Sequence, residues 1–204
     1  MDAIRLLILD HARTHSRTVA NPEGGLSIAD GVIYNLDDDQ LRQRPGESLN
    51  SVAWLIWHMA RTEDMAVNLL VAGRPQVLQD EQWAPRLGID RRDMAAGMSD
   101  DEVADFTVQI DITALRAYRN AVGARTIEVV SAMRPDELDE VIDMERIKKA
   151  YEDGSILKAA AWLEGFIAGK TKAFALGHTI TAHNYMHLGE AFCLRSMMGA
   201  RLPV

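Results

Sequence analysis

The sequence predicts an all-α protein, a four-helix bundle with a short additional helix, in one domain over residues 1–204. Three observations lead there. Hydrophobic residues are 48% of the chain and aromatic ones only 6%, a mix that favours packed helices over sheets. Apolar residues recur at helical spacing in four long stretches. Between them stand groups of Gly, Pro, Asn and Asp that stop helices. A chain of 204 residues buries about 70% of its unfolded surface, so its core needs no disulfide or metal to close it.

The first helix is expected from Asp2 to Val19, stopped by Asn21-Pro22-Glu23-Gly24-Gly25. A short helical piece near Leu26–Leu36 leads to Asp37-Asp38-Asp39, a solvated turn and helix start where carboxylates meet the positive end of the helix dipole. The second helix begins within Glu47–Asn50 and runs to Ala72. Its inward stripe reads Val52, Leu55, Met59, Thr62, Ala66 and Leu69, and its opposite side Asn50, Arg61, Asp64 and Asn68. The segment Pro75–Gly97, containing Trp83, Pro85 and Gly88, is too irregular for a helix and long enough to cover one end of the fold.

Ser99 and Glu102 form a capping box for the third helix, which runs through Ile112, Leu115, Tyr118, Val122, Val129 and Met133 until Pro135. Residues 136–153 are charged and expected at the periphery, and Ile156–Ile167 supplies the additional helix. The last helix runs from Lys170 to Met198 and is ended by Gly199.

Several function classes fall away early. A formal net charge of −8 argues against a nucleic-acid binder that works by neutralising phosphates. The single cysteine, Cys193, excludes a disulfide scaffold and Cys-rich metal sites, and it reads as a buried small hydrophobe. The apolar run within Met1–Asp10 is short and bracketed by charges, so neither signal peptide nor membrane span is expected and the location should be cytoplasmic.

The seam of the last helix is Leu176, Ile180, His183, His187, Ala191, Leu194 and Met198. Two members are histidines four apart, which stand one above the other on a helix face. Burying two unpaired imidazoles is costly. Hydrogen bonds to core carbonyls or a tyrosine would relieve that cost, and so would a metal, since neutral imidazole is a good ligand for zinc, nickel, copper or iron. A third ligand is then needed, and His58, in the apolar setting Trp54-Leu55-Ile56-Trp57-His58-Met59, is the best candidate.

Other histidines read differently. His11 and His15 are also four apart but have polar neighbours, so they are expected at the surface. His178 lies about 140° around an α-helix from His183 and should point elsewhere. Glu190 returns to nearly the face of His183, where it would accept a proton, approach a metal or form an ordinary salt bridge.

The stretch from Leu36 to Pro45, followed by Ser48-Leu49-Asn50-Ser51-Val52-Ala53-Trp54-Leu55-Ile56-Trp57-His58-Met59-Ala60-Arg61-Thr62-Glu63-Asp64, resembles the DinB-like superfamily. His183-Asn184-Tyr185-Met186-His187-Leu188-Gly189-Glu190 resembles that superfamily's second metal motif, His-x-x-x-His followed by Gly and a polar residue. The resemblance implies a four-helix bundle with up-down-down-up connections and a divalent metal on His58, His183 and His187. The family often has Gln where Glu190 stands, and residues 136–168 are longer than in compact members.

The superfamily includes transferases and isomerases that use mycothiol, bacillithiol or glutathione. The resemblance thus implies an enzyme with zinc or nickel, a small-molecule substrate and a low-molecular-weight thiol. The Arg-rich, Lys-poor composition leans towards mycothiol. Glu190 would accept a proton, and Arg61 or Arg195 would attract an anionic substrate from the rim. Two alternatives stand beside this one. The first is a metal-dependent hydrolase with water as nucleophile. The second is a non-catalytic metal- or small-ligand-binding bundle, as a monomer or homodimer.

Overall fold

The computed structural model describes residues 2–20 and 25–200. The expected stop at Asn21–Gly24 lies outside them. The described residues are helical, and an isolated antiparallel bridge between Val141 and Thr171 is their only β feature.

Helix α1 (Ala3–Thr14) starts at Asp2, whose carboxylate accepts from Arg5 N at 2.8 Å. It does not reach Val19 unbroken, because His15 is extended and the chain turns into α2 (Arg17–Ala20). Side chains take over backbone partners at that corner: Thr14 donates to Ile180 O at 3.0 Å, and Ser16 N donates to His15 Nδ1 at 3.1 Å. Helix α3 (Ile28–Ile33) is capped by Ser27, and α4 (Asp38–Arg42) by Asp37, the role expected for the acidic run.

Ser51 caps α5 (Val52–Asp64), which continues into a π-helical turn over Met65–Val71. The segment expected to be irregular holds two short helices, α6 (Val77–Asp80) and α7 (Trp83–Leu87). Pro85 fits within the first turn of α7, where no helical N–H is required. The expected third helix is two. The Ser99–Glu102 capping box opens α8 (Asp100–Gln109), Ile110 is extended, and Asp111 caps α9 (Ile112–Ala132). The break is fixed by Asp111 N, which donates to Leu87 O at 2.9 Å.

Helices α10 (Met144–Glu152) and α11 (Trp162–Ile167) follow. Residues 136–153 are not merely peripheral: Ile142, Ile147 and Ala150 are buried, and Arg146 donates to Leu70 O and Val71 O at 2.9 Å each. The last stretch is α12 (Lys172–Leu176), a π-helical turn Gly177–His183, and α13 (Asn184–Met197). No helix of the described residues is long and apolar enough to cross a membrane.

Side-chain pairs give the helix directions. Asn50 meets Glu190 at one end of α5 and Glu63 meets Asn184 towards the other, so α5 and α13 are antiparallel. Arg61 meets Tyr118 and Glu63 meets Thr126, so α5 and α9 run parallel. Ser16 meets Asn120 while His11 reaches Glu63 beside Thr126, so α1 opposes α9. The four run up-down-down-up.

The apolar core has two parts along α5. One contains Val52–Ala60 of that helix and the other begins at Met65. Between them Arg61, Glu63 and Asp64 are fully buried. The expected polar outer side of this helix is therefore a buried polar layer. Arg61 donates to Asp64 Oδ2 at 2.9 Å, Tyr118 Oη at 3.0 Å, Gln76 Oε1 at 2.9 Å and Arg92 O at 2.6 Å. Asp64 also accepts from Tyr118, Asn68 and the backbone N–H groups of Val77 and Leu78. Burial opposes the Arg61 charge, but Tyr118 and Asp64 beside it hold its pKa above the ordinary value.

Candidate metal centre

Helix α5 brings His58 against the last helical stretch, which carries His183 and His187. One ring nitrogen of each lies within 4.8 Å of the others, and His58 Nε2 and His183 Nε2 are 3.1 Å apart. A tetrahedral ion about 2.0–2.1 Å from each nitrogen keeps its ligand atoms about 3.3–3.4 Å apart, close to that spacing. His58 and His183 are buried at 8% and 7% exposure.

The other ring nitrogens fix how two of the rings present themselves. Met94 O can only accept, so His58 Nδ1 donates to it and the Nε2 lone pair faces the cluster. His187 Nδ1 donates to Glu190 Oε2 at 3.0 Å, and Asn50 Nδ2 holds the other oxygen of that carboxylate at 2.9 Å. Donations of this kind, to a carbonyl and a carboxylate, orient an imidazole so that its other nitrogen can ligate a metal. His183 Nδ1 has no hydrogen-bond partner. Burial lowers the His58 pKa to about 4, and burial with the neighbouring His58 and His187 lowers that of His183. Both favour the neutral, ligating form. The donor set fits a divalent transition metal.

The three histidines lie on the wall of a cavity of about 530 Å³, whose remaining lining includes Trp54, Met94, Trp162, Phe166 and Phe174. Trp54 stacks on His58 with ring centroids 4.9 Å apart. No lysine or arginine of the described residues lines this cavity.

His178 also lines it, contrary to the expectation that it points elsewhere. Its ring centroid is 5.7 Å from that of His183 and 5.0 Å from that of Phe166. The cause is the π-helical turn Gly177–His183: with i→i+5 bonding, residues five apart share a face.

His11 and His15 are likewise not at the surface; their exposures are 1% and 0%. With Glu63 they form a second group whose donor atoms lie within 4.8 Å of one another. His11 Nε2 and Glu63 Oε1 are 2.8 Å apart, and Thr126 Oγ1 donates to the same oxygen at 2.7 Å. Burial pushes the Glu63 carboxyl up, but His11, His15 and Arg119 outweigh it and hold its pKa well below the carboxylate range. A buried carboxylate partner is what sequence reasoning missed here, since Glu63 lies far from the histidine pair in the chain.

The remaining expected site residues fall outside the cavity. Arg61 belongs to the buried layer, and Arg195, 3% exposed, donates to Val32 O at 3.0 Å. Neither lines the cavity. Glu190 faces His187 rather than the cavity. Cys193 is exposed, not buried: it lies off the seam, between the half-buried Phe192 and the buried Leu194.

No curated protein matches this sequence. A crystal structure described as a conserved protein of Enterococcus faecalis is similar in fold, with a TM-score of 0.70 at 18% identity, covering 98% of this chain and 99% of that one. A family model described as the DinB superfamily matches residues 27–191, which hold His58, His183 and His187. The chain belongs to the DinB superfamily.

Proposed function

We propose that this protein is a metal-dependent enzyme acting on a small apolar molecule, with a low-molecular-weight thiol as second reactant, in an S-transfer or isomerisation reaction. The observation that carries the reading is the convergence of three imidazole nitrogens on the wall of a large apolar cavity. His58, His183 and His187 are the ligands for zinc or nickel. Bound there, such an ion would supply a Lewis acid that lowers the pKa of a thiol and makes it a nucleophile at neutral pH.

The chain's own residues do the rest. Glu190 acts through His187, fixing its tautomer and ring orientation. Trp54, Trp162, Phe166 and Phe174 exclude water and take an apolar electrophile. A cavity that no lysine or arginine of the described residues lines favours a substrate that is uncharged where it is buried, which suits mycothiol, a sugar-based thiol, better than a dianionic one. His178 stands beside His183 as a base kept neutral by burial.

The test is turnover of apolar electrophiles by the metal-loaded protein with and without mycothiol, bacillithiol or glutathione. Product formation that needs both metal and thiol is expected. Turnover with metal and water alone would make the protein a hydrolase instead. Metal binding without turnover under any of these conditions would leave a binding bundle.

A further inference from the structure

A second cavity, of about 210 Å³, lies against a different face of α5 from the histidine site. The histidine cavity takes Trp54, His58 and Thr62 of α5, whereas this one takes Val52, Leu55, Ile56 and Met59. Helix α13 is shared in the same way, offering Met186 and His187 to the first cavity and Leu188 and Ala191 to the second. The second cavity is therefore apolar over most of its wall, and its charged members are Asp30, Arg116 and Arg119.

Among the described residues, the two arginines have no ion pair. Asp30 is occupied: its Oδ2 accepts from Arg17 N, Ser27 N and Ser27 Oγ at 3.0 Å each. Neither arginine has a carboxylate of the described residues within ion-pair distance. Arg119 is 6% exposed, gives one N–H to Thr14 O at 3.1 Å and leaves Nη1 without a partner. Arg116 leaves Nε without one. The buried carboxylate of Glu63 favours the Arg119 charge without outweighing the effect of burial, and it is itself engaged by His11 and Thr126. A guanidinium buried without a counter-ion is costly, and an anion that supplies one recovers that cost.

We propose that this second cavity binds the carboxylate of a small apolar acid, its head on Arg116 and Arg119 and its tail along Val52, Leu55, Met59 and Leu188. The planar guanidinium fork suits a carboxylate. The apolar wall is what separates such an acid from an inorganic anion. The volume sets the size: at about 30 Å³ per water-sized unit it takes a tail of a few methylenes.

The experiment is calorimetric titration of the full chain with hexanoate, alongside hexanol and inorganic phosphate. Hexanoate should bind one per chain and at least about tenfold more tightly than either, the factor expected of one charge-assisted contact. Arg116→Gln, at a half-buried position, should cost about the same factor, while the metal-site variant His187→Ala should leave hexanoate binding unchanged. Methyl signals of Val52, Leu55 and Leu188 should shift on binding. Equal affinity for hexanol, equal affinity for phosphate, or no effect of Arg116→Gln would overturn the proposal. So would loss of binding in His187→Ala, which would place the acid in the histidine cavity.

Discussion

His58, His183 and His187 on one side, and His11, His15 and Glu63 on the other, are two buried groups with the same donor spacing. They differ in what the second ring nitrogen does. In the first group the outer nitrogens of His58 and His187 give their protons to Met94 O and Glu190, which frees Nε2 to ligate. In the second, His15 Nδ1 accepts from the Ser16 backbone N–H, so that nitrogen is already engaged and a neutral His15 carries its proton on Nε2. His11 is spent on Glu63. The first group also opens on a cavity, whereas no residue of the second lines the main or second cavity. Donor spacing alone does not separate the two groups; on the outer hydrogen bonds the first is the better candidate for a metal.

The largest effect should come from breaking that contrast directly. His187→Ala should abolish stoichiometric binding of zinc or nickel, while His11→Ala should leave one metal per chain. Metal analysis of dialysed protein checks both, and survival of binding in His187→Ala with loss in His11→Ala would reverse the assignment.

Stability should respond the opposite way. Glu63→Ala removes the anion of a sealed pair and should cost about 3–5 kcal/mol in denaturant unfolding, with metal affinity in the surviving folded protein little changed. A cost near zero would show that the pair is not what ties α1 to α5.

Glu190→Ala should be milder, weakening metal binding by about 10–100-fold, as loss of an outer-shell acceptor does. An unchanged affinity would mean that Glu190 is a plain surface salt bridge.

The smallest effect is the pH dependence of the metal-free protein. His58, His183 and His15 have lowered pKa values in the fold against an unfolded value of 6.5. The unfolded chain therefore binds more protons, and stability should fall as pH drops from about 6.5 towards 4. Glu63, also lowered, contributes stability that is full above about 4.5 and lost as pH falls further. Thermal melts with and without metal check this: loaded protein should resist the first loss, and apoprotein should still fold at neutral pH.

The first group was legible in the sequence because its signal is local and periodic. His183 and His187 sit on an apolar seam, and His58 stands in an unbroken apolar run. The second was not, because the neighbours of His11 and His15 in the chain are polar. Their cover comes from Glu63 and from Gly123 of α9, where an added Cβ would come within 2.5 Å of the His15 ring. His178 differs for another reason: α-helical geometry turns it away from His183, and nothing in Gly177-His178-Thr179-Ile180 announces a π-helical turn. Arg61 falls on the polar side of the second helix's pattern, which in the sequence reads as an outer face. Its partners Gln76, Arg92 and Tyr118 come from three distant parts of the chain.

The buried layer of Arg61, Glu63 and Asp64 also works as a ruler for the bundle. Sliding α5 along its neighbours by one turn, about 5.4 Å, would carry a guanidinium and two carboxylates into oily layers and strip Tyr118, Thr126 and Asn184 of their partners. Apolar side chains alone tolerate such slippage, since one leucine replaces another. The layer forbids it, and His58 lies one turn before it on the same helix. The alignment of His58 with His183 is thus set by residues that do not line the histidine cavity.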